Sequence, residues 1–145
     1  MSINAPAHPA GTPAKILVVD DNTLFAKAIS LKLEAWGYQV VTALDSAEAI
    51  SVARRGKPDL ILLDISFPPD VGGVLSDGFR IMEWLHHLNE PSKIPFIIIT
   101  GDDDVRNKER ALANGAVAFF QKPVNHDELL KAIRANLSAS ATKSA

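Results

Sequence analysis

The sequence predicts an α/β fold, a doubly wound sheet of five parallel strands in the order 2-1-3-4-5 with helices on both faces. Three observations predict it. Short apolar runs alternate with stretches of helical periodicity, five times over. The apolar runs are unbroken, as strands are when both faces of a parallel sheet are covered. Four of them stop on polar residues: Ile16-Leu17-Val18-Val19 on Asp20-Asp21, Leu60-Ile61-Leu62-Leu63 on Asp64, Phe96-Ile97-Ile98-Ile99 on Thr100, and the run 117–121 on Lys122-Pro123.

In chain order, β1 is expected over 15–20. The helix α1 starts at Thr23 with Phe25, Ile29, Leu33 and Trp36 on one face, and Gly37 supplies a left-handed stop. β2 follows over 38–43. Asp45-Ser46-Ala47-Glu48 reads as a cap for α2, with Asp45 accepting from the amide three residues on; α2 runs to about Arg55 and is ended by Gly56 and Pro58. β3 is expected over 59–64, and a long loop carries Pro68-Pro69 and Gly72-Gly73. α3 starts near Gly78 and buries Phe79, Met82, Leu85 and Leu88. Pro91 and Pro95 bracket the turn into β4, 96–100. α4 is expected over 102–113 with Asn114-Gly115 as its stop, β5 over 117–121, and α5 from the cap Asn125-His126-Asp127-Glu128, burying Leu129, Ile133 and Leu137. The domain is thus expected over 15–137, between an Ala- and Pro-rich flexible extension (1–14) and a small, polar, frayed tail (138–145).

Composition excludes several function classes. The 145 residues suit one domain with a full core. A net charge of −2 gives no general pull towards nucleic acid or anionic membrane. Without cysteine there is no disulfide, thiolate metal site or cysteine nucleophile. No apolar run reaches membrane-span length and no secretory signal is visible, so a cytoplasmic protein is expected.

In an open parallel sheet the strand C-termini share one edge, and ligands bind where the strand order reverses, here between β1 and β3. That brings Asp20 and Asp21 beside Asp64, with Thr100 and then Lys122 further along. Carboxylates this close repel unless neutralised. Lys122 supplies one positive charge and a divalent cation two more. Oxygen-only ligation favours Mg²⁺, with Mn²⁺ as a substitute. A carboxylate beside such an ion, a lysine and a hydroxyl is equipped to attack a phosphoryl group, giving an aspartyl phosphate on Asp64.

With Val18-Val19-Asp20-Asp21-Asn22, Leu62-Leu63-Asp64 followed by Pro68, Asp77-Gly78, Thr100-Gly101 and Lys122-Pro123, the chain resembles the CheY-like receiver domain of bacterial two-component response regulators, a flavodoxin-like fold. The resemblance implies Asp64 as phosphoacceptor and Asp20, Asp21, Asp64 and the Ser66 backbone carbonyl as Mg²⁺ ligands. It implies Thr100 as switch hydroxyl, Lys122 as the lysine that pairs with the phosphoryl group, Phe119 as aromatic rotamer switch and Pro123 at a cis-proline position. It also implies a donor histidine on a sensor kinase or phosphotransfer protein, and an output face of α4, β5 and α5. No turnover enzyme is expected. The output is a protein contact, with no direct nucleic-acid or membrane contact, from a single-domain regulator or a receiver cut from a larger protein; a phosphorylation-dependent dimer stays open. The alternative is a degenerate receiver acting as a phosphorylation-independent interaction module.

Other residues read as structural. Asp102-Asp103-Asp104 cap α4 rather than bind metal. His86 and His87 cannot share a helix face, His126 is solvated in a first turn, and Trp36 and Trp84 pack. Phe119 and Phe120 alternate, one ring towards the core and one towards the α4 side. A Mg²⁺-dependent phosphatase with an aspartate nucleophile would need a second aspartate two residues on, where this chain has Ser66. A flavodoxin-like flavin binder would leave the acidic set unused.

Two departures from the family pattern carry expectations. Asp64 to Gly78 spans 14 residues, longer than is usual, which points to an insertion within 69–76 that shapes access for the phosphodonor or water, or selects the partner. Ser66 places no amide or carboxylate over an attacking water, so hydrolysis is expected to be slow. Phosphoryl decay, followed on the full chain and on one lacking residues 69–74, tests both. Slow decay in the first and altered acceptance or decay in the second are expected. A lifetime of seconds would contradict the Ser66 reading, and identical rates the loop reading.

Overall fold

The computed structural model describes residues 13–20, 22–64, 84, 94–101, 105–113 and 115–144. Within them the strands are β1 Lys15–Asp20, β2 Gln39–Ala43, β3 Leu60–Asp64, β4 Phe96–Thr100 and β5 Ala118–Gln121. The helices are α1 Thr23–Ala35, α2 Ser46–Gly56, α4 Val105–Ala113 and α5 His126–Ser144. The loop after β3, its insertion and most of α3 lie outside the described residues. Trp84 is helical and packs against the core.

The five strands form one parallel sheet in the order β2-β1-β3-β4-β5, as the alternation of runs predicts. Strand alternation sends successive side chains to opposite faces. Ile16, Val18, Leu60, Leu62, Ile97 and Ile99 meet Ala26, Ile29 and Leu33 of α1 and Leu129, Ile133 and Leu137 of α5. Leu17, Val19, Ile61, Leu63, Phe96 and Ile98 meet Ala49 and Ala53 of α2 and Ala111 of α4 on the other face. Burial of each large side chain contributes about 1.5–3 kcal/mol, so these two layers outweigh every cap described below. The inward stripe of α1 is centred on Ala26, Ile29 and Leu33, with Phe25 and Trp36 half-buried at its margins.

The helix ends follow local chemistry. α1 closes with Gly37 at φ 100°, whose N–H donates to Glu34 O while Tyr38 N–H donates to Leu33 O. These are the paired bonds of a left-handed glycine stop. Asp45 Oδ1 accepts from Glu48 N at 2.8 Å, and Glu48 Oε1 accepts from Leu44 N at 2.8 Å, so α2 is capped reciprocally. Its far end differs from the sequence reading. Gly56 belongs to the last turn, and the left-handed residue is Lys57 (φ 46°, ψ 65°). Pro58 disfavours right-handed helix at Lys57, while Gly56 O is occupied by the Lys15 ammonium at 3.1 Å. α5 runs to Ser144, beyond Leu137 where the apolar spacing ends. Residues 138–144 hold no glycine or proline, and their alanines have high helix propensity.

Tyr38, the chain's single tyrosine, sits half-buried between α1 and β2. Burial raises its pKa above 10.0, against the opposing pull of the Arg134 guanidinium. A raised folded-state pKa stabilises the fold below the unfolded value, and that contribution is lost as pH climbs through the folded value. Phenolate absorbance of the folded protein should therefore titrate with a midpoint above 10.0, and stability should fall over that range. A midpoint at or below the ordinary tyrosine value would contradict the buried placement.

Candidate functional site

The register decides what meets at the C-terminal edge of the sheet. Asp20 of β1 is the direct Cα partner of Asp64 of β3. Asp64 pairs in turn with Ile99, the residue before Thr100, and Thr100 pairs with Gln121, the residue before Lys122. Neighbouring parallel strands lie about 4.8 Å apart, so Asp20 and Asp64 are immediate neighbours along the main chain. Asp64 is described by its backbone alone, and Asp21 and Ser66 lie outside the described residues.

Asp20 is only 1% exposed and Thr100 is fully buried. A carboxylate so buried requires compensation by hydrogen bonds or positive charge. One hydrogen bond comes from the start of α1: Asn22 N–H donates to Asp20 Oδ1 at 2.8 Å. Asn22 also caps the helix, its Oδ1 accepting from Leu24 N and Phe25 N, both at 3.1 Å. The donor set, a buried carboxylate next to a second strand-end aspartate with no sulfur or imidazole, fits a hard divalent cation. Asp20 and Asp64 are the described members of the ligand set that the family resemblance implies.

At the other end of the crevice, Lys122 N–H donates to Thr100 O at 2.8 Å, tying the chain after β5 to the end of β4. The Lys122–Pro123 peptide is cis. The Lys122 ammonium stands 4.1 Å from the centre of the Phe25 ring of α1.

Alternation divides these residues between the two faces. By strand parity Asp20 points to the α1/α5 side, and the contact with Phe25 puts the Lys122 ammonium on that side too. By the same parity Thr100 points to the α2/α4 side. Phe119 packs against the cluster on that side and Phe120 against the opposite one, one ring to each face as the alternation predicts. Two contributors escaped the sequence reading. Asn22 carried a signal, an Asn directly before the first helical residue. Phe25 carried none, since its spacing marked it only as a packing residue. Asp102, Asp103 and Asp104, and His86 and His87, lie outside the described residues; His126 is exposed at the start of α5.

The fold is shared with known proteins. The response regulator receiver domain, as a family, matches residues 16–134. The chain belongs to the response regulator receiver family. It is similar to Protein PilH of Pseudomonas aeruginosa, 36% identical over 125 residues, which cover 86% of this chain and 98% of PilH. Among solved structures it is similar to a CheY-like response regulator receiver domain protein from Methanospirillum hungatei, with a TM-score of 0.78 and 30% identity over 91% of this chain and 99% of that one. It is also similar to a response regulator protein from Burkholderia pseudomallei that carries a phosphorylated aspartic acid, a calcium ion and citrate. The TM-score there is 0.70 and the identity 27%, over 91% of this chain and 73% of that one. The chain spans about half the length of other curated relatives that it matches, 46% to 51%. Receiver domains in general are phosphoacceptor switches that bind Mg²⁺ at the phosphorylation site and interact with histidine kinases and downstream effectors. No helix among the described residues is long and apolar enough to cross a membrane.

For this receiver domain the cap at Asn22 is a stability element next to the site. Asn22→Ala should lower unfolding free energy by about 1 kcal/mol, read from urea denaturation, while Asn22→Asp should hold it near wild type. An alanine variant with an unchanged midpoint would show that the start of α1 does not depend on this cap.

Proposed function

We propose that Asp64 accepts a phosphoryl group from a histidine on a sensor kinase or phosphotransfer protein in a Mg²⁺-dependent step, and that this switches the protein-binding face of α4, β5 and α5. The observation that carries the reading is the register that sets Asp20 beside Asp64 at the reversal of strand order. The phosphorylated aspartate and metal of the Burkholderia relative support it.

In the step itself an Asp64 carboxylate oxygen forms a bond to phosphorus. The phosphorus–nitrogen bond of the donor breaks, and the nitrogen keeps the electron pair and takes a proton. When bound, Mg²⁺ neutralises the negative charge that converges on the crevice. Asp20, Asp21, Asp64 and the Ser66 backbone carbonyl would hold that ion. The Lys122 ammonium pairs with a phosphoryl oxygen, and the Thr100 hydroxyl donates to another. Pro123 shapes the loop that carries Lys122.

Readout follows from the division of faces. Thr100 lies on the α2/α4 side with Phe119, so a hydroxyl drawn towards the phosphoryl group leaves room there and the ring moves to fill it. The α4–β5–α5 surface then favours a different partner, a shift between pre-existing states. The partner is a downstream protein, a second phosphorylated copy, or an output domain of a longer chain.

Intact-protein mass after incubation with acetyl phosphate tests the chemistry. Wild type with Mg²⁺ should gain one phosphoryl group, whereas wild type in chelator and Asp64→Asn with Mg²⁺ should gain none. Failure of wild type to gain, with no response to beryllofluoride by tryptophan fluorescence, would replace this reading with a phosphorylation-independent interaction module.

A further inference from the structure

We infer that Phe25 is a positioning residue for Lys122: its ring holds the ammonium at the crevice before a phosphoryl group arrives. The inference rests on the phosphoacceptor reading and extends it to a residue of α1.

The main chain of Lys122 is anchored by its N–H bond to Thr100 O. Its side chain is a flexible four-carbon stem, and every contact that holds it in one place reduces the rotamer freedom lost on meeting an anion. The ammonium stands 4.1 Å from the centre of the Phe25 ring, inside the range where the ring's negative face attracts a cation. The ring is itself well held. It is half-buried against the cluster under α1 and α5. The Phe25 N–H is bound by the Asn22 cap, and Asn22 N–H in turn binds the Asp20 carboxylate. One connected set of contacts therefore runs from Asp20 through Asn22 and Phe25 to Lys122. It registers the cation against the acidic end of the same crevice.

An ammonium has three N–H donors, and a ring covers one side of it. The donors not facing the ring can bond to oxygen, so ring and phosphoryl group can be engaged together. Preorganisation of this kind lowers the ordering cost of the bound state and speeds a reaction whose catalysis is mainly positioning. Leucine would conserve the apolar packing without the charged face. Tyrosine or tryptophan would conserve the face.

The test uses the full chain and small phosphodonors, which need no partner protein. Phe25→Leu should accept phosphoryl from acetyl phosphate about three- to tenfold more slowly than wild type and bind beryllofluoride more weakly by a similar factor. Phe25→Trp and Phe25→Tyr should restore both. In NMR spectra the Lys122 side-chain protons of wild type should carry an upfield ring-current shift that Phe25→Leu removes and the aromatic variants retain. A purely structural role would instead track the unfolding midpoint of each variant, whatever its aromaticity. A leucine variant equal to or faster than wild type would overturn the inference, as would an unshifted Lys122 signal in wild type. If wild type itself takes no phosphoryl group, the phosphoacceptor reading fails first and takes this one with it, while the ring-current shift still reports whether the contact exists.

Discussion

Everything in this fold depends on a parallel sheet being buried on both faces. Ile16, Leu17, Leu60, Leu63, Ile97 and Ile98 are all inaccessible to solvent, and they alternate between two helical layers. Covering both layers requires crossovers, and right-handed crossovers leave every strand running the same way. The C-terminal ends then share one edge without any specific attraction between the residues found there. Asp20, Asp64, Thr100 and Lys122 come to that edge because hydrophobic burial sets the register.

The alternation that fills the core also sorts the site. Asp20 and Lys122 belong to the face covered by α1 and α5, whereas Thr100 and Phe119 belong to the face covered by α2 and α4. Charge is handled on one side of the sheet and shape on the other. The hydrogen bond from Lys122 N–H to Thr100 O joins them through the main chain. The two sides of the sheet are thus coupled through the backbone at the strand ends.

The strands, their order and the polar stops were legible because they rest on periodicity, which a sequence displays directly. So were the caps at Asp45 and Asn125 and the stops at Gly37 and Gly115, since each follows from one residue type in a local pattern. Lys57 in a left-handed conformation was not legible: a lysine rarely adopts it, and Gly56 beside it is the residue type that favours such a stop. The course of α5 past Leu137 was hidden because no large apolar residue continues the helical spacing there. Phe25 beneath Lys122 was hidden because the two are far apart in sequence and meet only once α1 and β5 have packed on the same face.

The outer strands of the sheet are short. β2 has five residues and β5 four, and each is an edge of the sheet. An open strand edge is a template on which a stray chain can add itself and seed aggregation. Edges this brief offer few bonds to such an intruder, and β2 presents the polar, exposed Gln39 and Thr42 among its valines. The fold thus keeps a sheet that is almost entirely aliphatic inside while giving other molecules little length on which to extend it, which favours colloidal stability at high protein concentration.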